Sequence, residues 1–123
     1  MFKSVGAVAV YVTDKERAKE FYTSTLGFEV AADVGPNLCF LRSANGSVDI
    51  YLEGGMKASA MDNSTARLSF FLRSVAPASA TFAVLREAGV QLLQDEPQPV
   101  DDSTACFQLL DPDGNIIEVC GDR

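Results

Sequence analysis

Glu118 sits in the run Ile116-Ile117-Glu118-Val119-Cys120, a carboxylate among apolar neighbours in a 123-residue chain that has no histidine. A carboxylate so placed can ligate a metal or move a proton, and its partners decide which. Cys120 lies two residues on, hence on the same face of a strand. One thiol and one carboxylate still fall short of the three or more ligands that zinc, nickel or iron sites use. Acid–base chemistry by Glu118 with Tyr51 stays open, because burial disfavours the charged form of a carboxyl and can raise its pKa. No serine or cysteine stands at a spacing that supplies it with a base. Asp111, Asp113 and Asn115 have the spacing of a cation loop, but Asp111-Pro112-Asp113-Gly114 is better explained as a turn. Phosphate-cradle and zinc-finger patterns are absent.

The elements that must position Glu118 are written twice. Cys39 to Leu52 lies over Cys106 to Val119 without a gap, matching Cys-Phe with Cys-Phe, Ile50 with Ile117 and Tyr51 with Glu118. In the first half, Val5 to Val12 alternates as a half-buried strand. Thr13 and Glu16 have capping-box spacing for a helix bearing Ala18, Phe21, Tyr22 and Leu26, which Gly27 stops. Strands follow at Phe28 to Val34, Leu38 to Arg42 and Val48 to Glu53, with turns at Gly35-Pro36-Asn37 and Asn45-Gly46. The second half repeats this order. Arg67 to Arg73 is a strand, and Ser74 caps a helix with Pro77 in its first turn and a stripe of Ala78, Phe82 and Leu85. Gly89 ends that helix, and Val90 to Leu93, Thr104 to Leu110 and Asn115 to Cys120 are strands. Phe40 and Phe107 read as core. The expectation is one α+β domain over residues 1–123, built of two βαβββ modules, 1–53 and 66–123. Linker 54–65 joins them, and its two methionines are placed to flap over an apolar site.

A net charge of −7 disfavours nucleic acid and anionic membranes as partners. With 47% hydrophobic and 22% charged residues, the composition is that of an ordinary globular chain. Cys39, Cys106 and Cys120 are an odd number inside apolar runs, which reads as reduced thiols in a cytoplasmic protein. The N-terminal apolar stretch is too short for a signal peptide or a membrane span.

The segments VYVTDKERAKEFYTSTLGFEV and FQLLDPDGNIIEVCG resemble the vicinal oxygen chelate superfamily, the glyoxalase, bleomycin resistance and dioxygenase group. The resemblance covers essentially the whole chain. It implies curved mixed sheets around a cavity, a homodimer, and four metal-ligand positions on the first and last strands of each module. Those positions carry over to Ala7, Tyr51, Arg67 and Glu118. Of these only Glu118 is a usual ligand, so the expectation is no metal and no cofactor. An Arg67–Glu118 ion pair would stand in its place, the alternative being that Arg67 reaches solvent at the strand edge.

The same strand faces nominate Tyr11, Asp49, Tyr51, Ser69, Phe71 and Gln108 beside Arg67 and Glu118 as a ligand-binding lining. The alternative is that Tyr51 and Phe71 simply fill a small core. The expected function is metal-independent binding of a small organic molecule, of the sequestration or resistance type. The competing expectation is a lyase, isomerase or dioxygenase of the same superfamily, with Glu118 as its catalytic acid/base or metal ligand.

Overall fold

A computed structural model describes residues 1, 3–43, 46–56 and 69–123. The chain divides into two compact units, Met1–Asp62 and Asn63–Arg123. In the first, β1 (Val8–Tyr11), α1 (Lys15–Glu20), β2 (Glu29–Val34), β3 (Leu38–Arg42) and β4 (Val48–Glu53) form a mixed sheet in the order β1-β4-β3-β2. In the second, β5 (Phe70–Arg73) and α2 (Ala78–Glu87) precede the short strands β6 (Gln91–Leu92) and β7 (Gln98–Pro99). Strands β8 (Thr104–Leu110) and β9 (Ile116–Asp122) complete a sheet ordered β5-β9-β8-β6, with β7 also on β8. The protein is α+β, and each unit is a βαβββ module whose second strand is split in the second copy. Pro97 lies in the break, and Pro99 sits in β7, which pairs β8 alone, where a residue without an N–H is tolerated.

Each sheet buries one face beneath its own helix. In unit 1 Val10, Val12, Cys39, Leu41, Ile50 and Leu52 are buried with Ala18 and Tyr22 of the helical segment. In unit 2 Ala105, Phe107, Leu109, Ile117 and Val119 meet Ala78, Phe82 and Leu85, and the Phe82 and Phe107 rings are 5.1 Å apart edge to face. Alternation then turns the remaining side chains of each strand to the face opposite the helix.

Helix starts differ from expectation. Asp14, not Thr13, caps α1, accepting from Arg17 N at 3.1 Å, while Thr13 Oγ1 accepts from the Arg17 guanidinium. An aspartate one residue nearer the helix reaches the same orphan donor. In unit 2 Pro77 precedes the first helical residue, and the Ser74 hydroxyl bonds Thr81 Oγ1 instead of capping. After Glu20 the first helix widens into a π turn over Phe21–Thr25, where Thr23 Oγ1 donates back to Lys19 O at 2.8 Å. Gly27 and Gly89 end the helices as expected, both at φ 81°.

Both modules carry a glycine just past the middle strand's core stretch. A Cβ on Gly54 would lie 3.1 Å from Lys15 N, and one on Gly121 3.1 Å from Ala78 N. Lys15 and Ala78 each begin a helix, so in both copies the helix N-terminus crosses the sheet at backbone contact.

The gapless overlay is corrected by one residue. Ser43 N donates to Ser47 O and Gly46 N to Ser43 O; Asp111 N donates to Asn115 O and Gly114 N to Asp111 O. The turns therefore match Gly46 with Gly114, 68 positions apart, whereas Ile50 and Ile117 are 67 apart. The extra residue is Asp49, skipped where the β3–β4 register steps from Leu41↔Ile50 to Arg42↔Val48. Tyr51 still matches Glu118, but Phe40 matches Gln108, and Cys39 matches Phe107. Phe40 is accordingly not core: it is half-buried on the open face, its ring 5.2 Å from Tyr51. Phe107 is core, at 1% exposure.

Candidate functional site

The two open faces are built row by row from the strand register. In unit 1 Ala9, Tyr51 and Phe40 stand side by side across β1, β4 and β3, followed by Tyr11, Glu53 and Leu38. In unit 2 the matching rows are Phe71, Glu118 and Gln108 across β5, β9 and β8, then Arg73, Cys120 and Cys106. Of the residues nominated from sequence, Tyr11 and Tyr51 lie on the first face, and Phe71, Gln108 and Glu118 form one row of the second. Tyr11 is 48% exposed and Phe71 57%. Arg73 lies over the Phe71 ring with its guanidinium carbon 5.9 Å from the centroid.

Other nominated residues are engaged differently. Asp49 is exposed at the bulge and accepts from Ser43 Oγ at 3.0 Å, which holds it away from the Tyr51 row. Ser69 Oγ donates to Ile116 O at 2.9 Å, across to β9. Gln108 is tied to Gln94 twice, its backbone N donating to Oε1 at 2.7 Å and its Oε1 accepting from Nε2 at 3.1 Å. Arg67 lies outside the described residues, as do residues 57–65 of the linker, so the expected Arg67–Glu118 pair and the flap fall there. Ala7 precedes Ala9 by two residues on the open face, and Ser69 stands at the same step before Phe71.

The turn reading of the acidic loop is accounted for by Asp111, whose Oδ1 accepts from Asp113 N and Asn115 N and whose Oδ2 accepts from Asn115 Nδ2 at 2.8 Å. Both oxygens serve the Asx turn, which leaves the loop as a hairpin closure.

The cysteines are the residues that sequence reasoning misread. Cys106 and Cys120 are direct cross-strand partners, Cα atoms 4.2 Å apart, and form a disulfide. The expectation of three reduced thiols is therefore corrected for these two; Cys39 is free and fully buried under α1. Burial pushes the Cys39 thiol pKa up, which makes it inert. The closely spaced opposite pair is the geometry that lets two sulfurs meet. Cys120 Sγ also lies 3.5 Å from Glu118 Oε1, a contact in which a disulfide sulfur has no proton to donate. The signal available in the sequence was the pair of turn glycines, Gly46 and Gly114, which set the hairpin register that places Cys106 opposite Cys120.

The metal set implied by the resemblance does not fit this chain. Ala7 has no donor atom, Tyr51 offers a phenol and Arg67 a cation, so one carboxylate remains. No helix among the described residues is long and apolar enough to cross a membrane.

Comparison with known proteins places these features. The chain is 34% identical over 122 residues to the uncharacterized protein YetH of Bacillus subtilis (strain 168), covering 94% of this chain and 96% of that one. Among solved structures it is similar to TnmS3, an antibiotic binding protein from Streptomyces sp. CB03234, at TM-score 0.76 and 27% identity over 99% and 98% of the two chains. A lactoylglutathione lyase from Agrobacterium tumefaciens, at TM-score 0.72 and 15% identity over 98% and 95%, shares the fold. The family profile matches residues 4–119, and the chain belongs to the Glyoxalase/Bleomycin resistance protein/Dioxygenase superfamily.

Proposed function

We propose that this protein binds a small, aromatic organic molecule on the open sheet face of unit 2, without the superfamily's metal, in the manner of a sequestration or resistance protein. The observation that carries this reading is the Phe71–Glu118–Gln108 row, in which an exposed ring, a carboxylate and an amide stand abreast on one face. A ring platform beside a few oriented polar groups is the makeup of a ligand site. Tyr11, Tyr51 and Phe40 form an aromatic surface of their own on the open face of unit 1. Similarity to an antibiotic binding protein supports the same reading. We further take the protein to be a cytoplasmic homodimer, which sedimentation of the purified protein and cell fractionation test.

A thermal-shift screen of polycyclic aromatic antibiotics and aromatic metabolites tests ligand binding. A ligand at about a hundred times its Kd stabilises by roughly 2.7 kcal/mol. Phe71→Ala is expected to abolish that shift while leaving the ligand-free midpoint close to wild type. Stabilisation by none of these compounds, or a shift that survives Phe71→Ala, overturns the proposal. The competing reading is an enzyme acting through Glu118, the single usual ligand type retained at the superfamily's positions. Turnover of a bound compound that is lost in Glu118→Gln with binding intact would establish it.

A further inference from the structure

Glu118, Cys106 and Cys120 bring one carboxylate oxygen and two sulfurs within 4.8 Å of one another, all half-buried on the open face of unit 2. The sheet holds them there by register: Cys106 is the cross-strand partner of Cys120, and Glu118 is two residues along β9 on the same side. Only Glu118 coincides with a ligand position implied by the superfamily resemblance. The sulfurs come from the next row, one of them on β8.

We infer that, when the Cys106–Cys120 disulfide is reduced, these three side chains form a binding site for a thiolate-preferring divalent cation, zinc being the representative ion. Zinc takes sulfur at about 2.3 Å and carboxylate oxygen at about 2.0–2.2 Å, so a tetrahedral ion sets sulfur and oxygen about 3.5 Å apart. Cys120 Sγ and Glu118 Oε1 already stand 3.5 Å apart. The two sulfurs must open to about 3.8 Å for the same geometry, a separation within reach of χ1 rotation on neighbouring strands. Two thiolates and one carboxylate leave a fourth position open, which is the ligand count of a reactive zinc site and not of a closed structural one.

Occupancy is coupled to redox state. In the disulfide both sulfurs are spent on each other and neither is a thiolate. A small dithiol reductant breaks the Sγ–Sγ bond: each sulfur gains one electron and one proton, and the reductant leaves as its cyclic disulfide. Metal entry then releases the two thiol protons to solvent, and Glu118 ligates as a carboxylate. The inference stands independently of the organic-ligand proposal, which concerns the disulfide form.

The test is a cobalt(II) titration of wild-type protein, oxidised and dithiol-reduced, desalted without oxygen. Reduced protein is expected to bind one cobalt per chain with sulfur-to-cobalt charge-transfer absorption, which zinc then displaces. Oxidised protein should show none. Cys106→Ser and Cys120→Ser should each lose the band, Cys39→Ala should keep it, and Glu118→Gln should keep it with weaker affinity. Absence of the band in reduced wild type, unfolding on reduction seen by circular dichroism, or a band surviving both serine variants would each overturn the inference. Because the oxidised–reduced comparison uses wild-type protein, misfolding of a variant does not obscure the outcome. Organic-ligand shifts measured on oxidised protein report separately on the other proposal.

Discussion

The two open faces share a backbone and differ in nearly every side chain. Where unit 1 places Ala9, Tyr51 and Phe40, unit 2 places Phe71, Glu118 and Gln108. Where unit 1 has Leu38 opposite Glu53, unit 2 has Cys106 opposite Cys120. The buried faces, by contrast, keep their chemistry: Leu41 and Leu109, Ile50 and Ile117, Leu52 and Val119 hold matching places. The helix-facing side of each sheet is constrained by packing, because a lost methylene there leaves a void. The open side has no such constraint, and each copy has gone its own way there. Unit 1 offers an aromatic surface, and unit 2 offers groups that can bind charge, hydrogen-bond or change redox state.

The sharpest way to break this comparison is to truncate the two phenylalanines that the gapless overlay would treat as equals. Phe107→Ala empties a fully buried site against Phe82 and should cost about 3–5 kcal/mol in urea unfolding. Phe40→Ala removes a half-buried ring from the open face and should cost less than half as much. Equal losses would mean that the two faces are packed alike. The next effect belongs to unit 2 alone. Cys106 and Cys120 are 14 residues apart, and a loop of about that length gives a disulfide roughly 3 kcal/mol of stabilisation in the chain-entropy account. The hairpin already constrains the chain, so the midpoint difference between oxidised and reduced protein should fall at or below that figure. Substituting Leu38 with Ser, at the same place in unit 1, should produce no dependence on redox state beyond that of wild type.

A smaller, symmetric effect should appear where the units agree. Gly54→Ala and Gly121→Ala each set a Cβ 3.1 Å from a helix-starting backbone N and should each cost about 1–3 kcal/mol. A large inequality between them would show that only one helix crosses its sheet at backbone contact.

Element order was legible because the apolar period and the glycine stops are local. Strands Leu38–Arg42, Val48–Glu53 and Thr104–Leu110 have the bounds expected from alternation. What alternation cannot convey is phase across a turn. A slip of one residue turns Phe40 from core to surface, and period-2 patterning is blind to it until the turn glycines are matched. The disulfide followed from that same phase, so Cys106 was missed for the reason that Phe40 was misassigned. The caps were misjudged for a different reason. Thr13, Asp14 and Ser74 all bear capping oxygens, and only the backbone entry angle selects among them. The face chemistry of Glu118, Tyr51 and Phe71 was readable because residues two apart on a strand share a side.

The smallest predicted effect is electrostatic and confined to unit 1. Lys15 and Lys19 of α1 both donate to the Asp33 carboxylate on β2, Lys19 at 2.9 Å, and Lys15 also donates to Gly35 O at 2.7 Å. Unit 2 begins its helix with Ala78 and has no such lysine there. The Lys15 hydrogen bond, then that of Lys19, holds the Asp33 pKa below its ordinary 3.8. The hydrogen bond to Asp33 chiefly raises both lysines above their ordinary 10.5. A depressed carboxylate contributes stability that is present above its unfolded pKa and lost as pH falls through the folded one. A raised lysine contributes stability that is present below its unfolded pKa and lost as pH rises through the folded one. Asp33→Asn should therefore lower the urea midpoint by a constant amount between about pH 5 and pH 9. That gap should close in stronger acid, where wild-type Asp33 is itself protonated, and narrow again in strong base. A gap that persists unchanged below the folded pKa would mean that Asp33 anchors α1 by shape and hydrogen bonding and not by charge, and would remove this electrostatic difference between the two helix–sheet contacts.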